Sequence, residues 1–289
     1  MAARARRRKQ KPAAPARADL GIDAKLVETV LTGFIAGETR RVGRSRVVVG
    51  LSGGVDSAVA ATLARRALGA RGVVAVLMPY RLSDAASARD ARALARRLGI
   101  RTEERDITPM IDAYFAGEPK AGRVRRGNKM ARERMSILYD LSAAHEALVL
   151  GTSNKTELML GYGTIHGDMA SSINPLGDLY KTQIFDLARH LRVPASIRRR
   201  IPTAGLWAGQ TDEKELGATY EDLDQILHRL VDERLGRADL VREGWPAALV
   251  DRVLARVRGS QFKRRMPLIA KVSPRTAGID FRYPRDWGT

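Results

Sequence analysis

Residues 50–58 read Gly-Leu-Ser-Gly-Gly-Val-Asp-Ser-Ala and follow directly on the apolar run Val47-Val48-Val49. A β-branched run, a Ser-Gly-Gly turn and a helical pattern at Val55, Ala58, Val59, Thr62 and Leu63 describe a buried strand that turns tightly into a helix N-terminus. Gly53 and Gly54 let backbone N–H groups approach an anion closely, and the helix dipole adds positive potential at the same place. Ser52 and Ser57 add hydroxyl donors, Val55 opens the helix, and Asp56 supplies a carboxylate suited to Mg²⁺. This is a pyrophosphate cradle. It is not a Walker loop, because no Gly-Lys-Ser/Thr follows the glycines.

Working outward, Leu26, Val27, Val30, Leu31, Phe34 and Ile35 recur at helical spacing and predict a helix before the first strand. Val73–Met78 reads as a second, fully buried strand ended by Pro79. Asp90–Leu98 reads as a helix stopped by Gly99, and Arg101–Ile107 as a third strand ahead of Pro109. Asn128–His145 forms a long helix and Ala147–Gly151 a fourth strand. Strands alternating with helices imply a parallel sheet covered on both faces, with ligands at the carboxyl ends of the strands. Ser52 and Thr152 both fall just past such ends. From Asp178 onward the pattern is helical, at Lys181–Leu191, Tyr220–Leu235 and Ala247–Arg258, and the polar, glycine-containing stretch 205–213 reads as a mobile loop.

The 289 residues suffice for a full α/β core, and 44% hydrophobic with 29% charged residues is an ordinary globular balance. No apolar stretch approaches the roughly 20 residues that span a bilayer, so no membrane partner is expected. The absence of cysteine excludes disulfides, thiolate metal sites and Cys nucleophiles, and is consistent with a cytoplasmic location. The formal charge of +19 raises the question of nucleic acid. Seven basic residues against the single acid Asp19 lie in the first 20, a Pro-containing arm without apolar periodicity that reads as disordered. The remaining excess is spread over Arg/Ala-rich helices and reads as solvated surface, so nucleic acid is not an expected partner.

The Ser52–Ser57 string resembles the signature of the N-type ATP pyrophosphatases, which split ATP between its α- and β-phosphates to adenylate a substrate. NAD synthetase, GMP synthetase, asparagine synthetase and several tRNA-modifying enzymes share it. Four further strings resemble ammonia-dependent NAD synthetases in order and spacing: Gly127–Met135, Gly151–Glu157, Pro175–Gln183, and Pro202–Trp207 continued by Gln210–Glu213. The likeness runs over residues 22–270. It implies a doubly wound, parallel five-stranded α/β sheet of Rossmann-like (HUP) type, with helices on both faces and a helical C-terminal extension. The domain organisation becomes a disordered basic arm over 1–20, one synthetase-like domain over 21–270, and a tail over 271–289.

The same resemblance implies the site. Asp56 and Glu157 would hold Mg²⁺; Ser52, Gly53, Gly54, Val55, Asp56, Ser57, Thr152, Lys181 and Thr203 would bind ATP. Asn128, Arg132, Asp168 and Lys263 would contact the dinucleotide, and Lys181, Asp56 and Asp168 would act in catalysis. Asp178 reads more simply as a helix cap than as an acid catalyst. The implied substrates are ATP, deamido-NAD and free ammonia, since no cysteine is present for a glutaminase, and the implied assembly is a homodimer. Three positions depart from the family pattern in its acceptor half: Ile165 where a lysine is usual, Ser172 where an aspartate is usual, and Phe262 where a histidine is usual. They keep open amidation of nicotinate mononucleotide or another carboxylate. A tRNA-modifying adenylating enzyme is a more distant alternative.

Overall fold

Three consecutive valines with no exposed surface, Val47, Val48 and Val49, form the middle of a four-stranded parallel sheet. A computed structural model describes residues 15–207, 209–265, 267–277 and 280. Helix α1 (Ala24–Arg41) leads into β1 (Arg46–Gly50), then α2 (Val55–Leu68), β2 (Val73–Leu77), α3 (Ala85–Leu98) and β3 (Arg101–Glu104). Helices α4 (Thr108–Tyr114) and α5 (Arg123–Ala144) precede β4 (Ala147–Leu150) and α6 (Lys155–Leu160). The helical remainder comprises α7 (Lys181–His190), α8 (Ala195–Arg198), α9 (Asp212–Leu216), α10 (Tyr220–Val231), α11 (Arg237–Arg242) and α12 (Ala247–Gly259).

Strand order is β3-β2-β1-β4. Alternation sends Val47 and Val49 to one face, where α1, α2, α3 and α7 cover them, and Val48 to the other, against Met135, Leu138 and Leu141 of α5. The chain runs outward from β1 to β3 and returns on the far side as β4. The β1/β4 junction is therefore the topological switch point, where strand ends splay and leave a crevice.

Among the described residues the sheet has four strands, not the expected five. The chain after β4 does return beside it, with Ser172 and Ile173 bonding to Val149 and Gly151, but only a single bridge forms at Ile173. Pro175 has no N–H to extend a ladder, and the chain turns there. Strand β3 stops at Glu104, short of Ile107, because the Asp106 carboxylate accepts the Thr108 N–H at 2.8 Å and starts α4. Helix α3 begins at Ala85 rather than Asp90, capped by Asp84 on the amides of Ala86 and Ser87. Asp178 is not a helix cap: the N-cap of α7 is Tyr180, and Asp178 is exposed and paired with Lys155.

Residues 1–14 of the expected arm, and 278, 279 and 281–289 of the expected tail, lie outside the described residues. Residues 15–20, read from sequence as disordered, instead lie across the C-terminal helices. The Ala18 N–H and C=O pair with the Gln225 side chain at 2.7 and 2.8 Å, Leu20 O accepts from Gln183, and Arg17 meets Asp222 and the Trp245 ring. Gln225 is buried, so stripping its partner leaves an unsatisfied amide at about 1–3 kcal/mol. A chain beginning at residue 21 should therefore melt roughly 3–10 °C below one beginning at residue 15 in calorimetry. Equal midpoints would show that this strap carries no stability.

Candidate active site

The cradle sits at the end of β1. Gly53 has φ +84°, and a Cβ there would lie 2.3 Å from the Ser87 carbonyl oxygen of α3, so the turn closes only around glycine. The Ser57 hydroxyl donates to Gly54 O at 3.0 Å and accepts from Ser52 N at 3.2 Å, while Ser52 Oγ accepts from Gly54 N. Gly54 caps α2 without a side chain, which leaves the first-turn amides of that helix facing the crevice.

Asp56, in that first turn, meets Lys181 from the start of α7. Lys181 Nζ lies 2.6 Å from Asp56 Oδ2 and 3.4 Å from Glu157 Oε1, and rests over the Tyr220 ring. Its side chain is 3% exposed. Burial opposes its charge, but Asp56 and Glu157 outweigh burial and hold its pKa above the usual lysine range. Asn154 caps α6, donates its Nδ2 to Asp56 Oδ1 at 2.9 Å, and forms a capping box with Glu157. Burial, reinforced by Asp56 and Asp212, pushes the Glu157 carboxyl up to about 8 against the pull of Lys181.

A lysine at the first position of a helix opposes the dipole, so something must hold α7 there. The wholly buried Asp224 of α10 does this, accepting Thr182 N at 2.8 Å and Thr156 Oγ1 at 2.5 Å, while Thr156 Oγ1 accepts Lys181 N. Asp212 completes the cluster. Its two oxygens accept from the Tyr162 and Tyr220 hydroxyls at 2.9 and 3.0 Å, and burial raises its pKa.

One cleft of about 430 Å³ collects Ser52, Gly54, Val55, Asp56, Ser57, Thr152, Glu157, Asp168, Lys181 and Thr203 along its walls. Gly53 stands behind it, against α3. Asn128, Arg132 and Lys263 are not in it. They converge on the loop 161–168: Asn128 Oδ1 accepts from Thr164 Oγ1, Arg132 Nε donates to Ile165 O, and Lys263 Nζ donates to the carbonyls of Gly161 and Gly163. Asn128 and Arg132 also border a second, shallower groove with Arg123 and Val124. Asp168 opens onto the main cleft, and protein crowded about it raises its pKa. The 205–213 stretch, read as a mobile loop, is seated in its described residues. Leu206 packs with Tyr80, Ile111 and Met130, and at Gly127 a Cβ would crowd Leu206 at 2.9 Å.

Sequence reasoning did not single out Asn154, Tyr162, Asp212, Tyr220, Asp224, Arg134 and Arg200, which surround the cleft. Asn154, Arg134 and Asp212 lay inside recognised strings, so their neighbourhood was legible. Tyr220 and Asp224 carry no local signal, because only the docking of α10 on α6 and α7 brings them in.

Residues 27–267 match the family model for NAD synthase. The NH(3)-dependent NAD(+) synthetase of Chlorobaculum parvum is 55% identical over 269 residues, covering 93% of this chain and 97% of that protein. Among solved structures, the NMN synthetase of Francisella tularensis aligns at TM-score 0.78 and 33% identity, over 86% of this chain and 99% of its own. The NH3-dependent NAD synthetase of Campylobacter jejuni, in complex with nitrate, aligns at 0.74 and 35%, over 87% of this chain and all of its own, 100%. With nearly the whole cradle-bearing core inside that match, the chain belongs to the NAD synthase family.

Proposed function

We propose that this chain makes NAD from deamido-NAD, ATP and free ammonia. The observation that carries the reading is the meeting of Asp56, Glu157 and Lys181 at the end of the cradle, on the β1/β4 switch point. A carboxylate oxygen of the nicotinate attacks the α-phosphorus, the bond to the β-phosphate oxygen breaks, and pyrophosphate leaves. Ammonia then attacks the acyl carbon, AMP departs with the C–O bonding pair, and the nitrogen sheds a proton. We assign that proton to Asp168, whose raised pKa suits a base. The α2 amides with Ser52 and Ser57 hold the phosphates, and Thr152 and Thr203 line the ATP cleft. Lys181 stabilises charge growing on the leaving pyrophosphate.

The residues fit a magnesium ion. Six carboxylates and three cations line the cleft, a charge balance that repels a bare triphosphate. Among the described residues no cluster of three or more His, Cys, Asp or Glu is arranged to hold a metal alone. Mg²⁺ commonly uses one or two carboxylates with substrate phosphates, and Asp56 and Glu157 would hold it. When bound it neutralises the triphosphate and makes pyrophosphate a better leaving group.

We place Asn128, Arg132 and Lys263 at the acceptor end through the loop they fix. A homodimer suits the exposed apolar side chains Val124 and Tyr139 on α5, of which Val124 borders the groove with Asn128 and Arg132. Among the described residues no helix is long and apolar enough to cross a membrane, and we place the protein in the cytoplasm.

A second reading has its own support in the alignment with an NMN synthetase and in Ile165, Ser172 and Phe262: the same chemistry on nicotinate mononucleotide. AMP release is the test, run in parallel on both acceptors with ammonium or glutamine as nitrogen source. Deamido-NAD with ammonium should give the higher kcat/KM. The rate should climb with pH through the ammonium pKa, since only the neutral species is nucleophilic, and glutamine should not substitute. Preference for the mononucleotide would move the assignment to the second reading, and turnover on pure glutamine would remove free ammonia as the donor.

A further inference from the structure

Three cations line the cleft, and two of them are committed. Lys181 is paired with Asp56 and Glu157, and Arg200 with Asp84 and Asp90. The third is Arg134, on the face of α5 between Ala131 and Leu138, which line the same wall. Its Nε donates to the carbonyl of Met78, just past β2, at 3.1 Å. That bond orients the planar group and leaves both terminal nitrogens for another acceptor. Among the described residues no carboxylate comes within ion-pair distance of them. Asp168, across the cleft, is near enough to influence Arg134 electrostatically but does not pair with it.

A half-buried guanidinium with an anchored Nε and an unoccupied fork presents two parallel donors to a planar or tetrahedral oxyanion, the geometry that suits Arg to carboxylate and phosphate. Burial draws its pKa down to about 10, so it is cationic at neutral pH. An uncompensated buried cation is costly, and a protein gains by keeping one where a ligand supplies the counter-charge. The phosphate cradle and Lys181 serve the opposite wall. The reaction brings two anions together, a carboxylate and the α-phosphoryl group, and their mutual repulsion must be screened where they meet.

We propose that Arg134 is the anion-binding residue of the reacting centre, its fork receiving the oxygens of the acceptor carboxylate or of the α-phosphoryl group as the acyl adenylate forms. This rests on the amidation reading above, and the wild-type protein separates the two. If wild type releases no AMP with any carboxylate acceptor, that reading falls. If it does release AMP, Arg134 is tested on its own.

Arg134→Ala should lower kcat/KM for ammonia-dependent AMP release by about a hundredfold or more, and guanidinium chloride at sub-denaturing concentration should restore part of it where equal sodium chloride does not. Arg134→Lys keeps the charge, loses the fork and should fall between. A rise in the deamido-NAD KM of about tenfold with the ATP KM unchanged assigns the fork to the carboxylate. A loss confined to kcat and to acceptor-dependent ATP–pyrophosphate exchange assigns it to the α-phosphoryl group. A merely structural tether to Met78 predicts the same loss in both variants, tracking the thermal midpoint, with no specific rescue. That pattern, or activity of Arg134→Ala within about threefold of wild type, overturns the proposal.

Discussion

Asp56→Asn is expected to cut AMP release by about a thousandfold or more at saturating MgATP, and to lower the thermal midpoint as well. The catalytic loss follows from removing a hard oxygen from the proposed magnesium site. The stability loss follows from geometry. Asp56 is the 2.6 Å counter-ion of a lysine whose side chain is 3% exposed, and Asn leaves that ammonium leaning on Glu157 at 3.4 Å. Breaking a buried pair costs about 3–5 kcal/mol at most when nothing compensates, and here Glu157, relieved of the Asp56 charge that helps keep it protonated, ionises more readily and compensates in part. Glu157→Gln should lose activity to a similar degree yet melt close to wild type, because Gln matches the shape of the protonated acid that burial favours there. AMP release and calorimetry on both proteins check this together. Retention of more than about a tenth of the activity by either variant would displace the metal site.

Gly53→Ala is the second large effect. The left-handed backbone costs an L-residue about 1–2 kcal/mol, and the new Cβ would meet the Ser87 carbonyl at 2.3 Å, a backbone atom that cannot swing away. Either α3 moves or the cradle opens. Helix α3 is held in place at its N-terminus by Arg200 bridging Asp84 and Asp90, so the cradle should yield. The expected outcome is a midpoint lower by roughly 5 °C or more together with a loss of MgATP affinity measured by titration calorimetry. Substitution at Gly205, where φ is also positive but a Cβ meets open space, should cost less on both measures. If Gly53→Ala binds MgATP as wild type does, the turn tolerates a side chain and the close approach to α3 is not needed for phosphate binding.

Much of the nucleotide half was legible along the chain. The valine run, the Ser-Gly-Gly turn and the helix that follows are contiguous, so local propensity alone places the cradle at a strand end. Parallel strands alternating with helices then force ligands to the carboxyl side of the sheet. Element boundaries were less legible at α3 and β3, because side chains near their ends set them, whereas α7 begins at Lys181 as its pattern indicates and only its cap differs, Tyr180 rather than Asp178. The strand count failed at Ile173, where one proline decides between a ladder and a bridge.

What the sequence determined by itself was therefore local: a glycine turn at a strand end, carboxylates at Asp56 and Glu157, and a lysine at the head of a helix. What only the tertiary structure decided was how those charges are balanced. Asp224 and Tyr220 come from α10, and Asp212 from the short helix α9 before it, yet they hold Lys181 in place through contacts 31 to 68 residues apart in sequence. Arg134 became a candidate for the same reason, since its availability is a matter of what does not pair with it. Pairing between distant groups leaves no periodic trace in a sequence, because it depends on how helices dock, and docking is set by the whole packed core rather than by neighbouring residues.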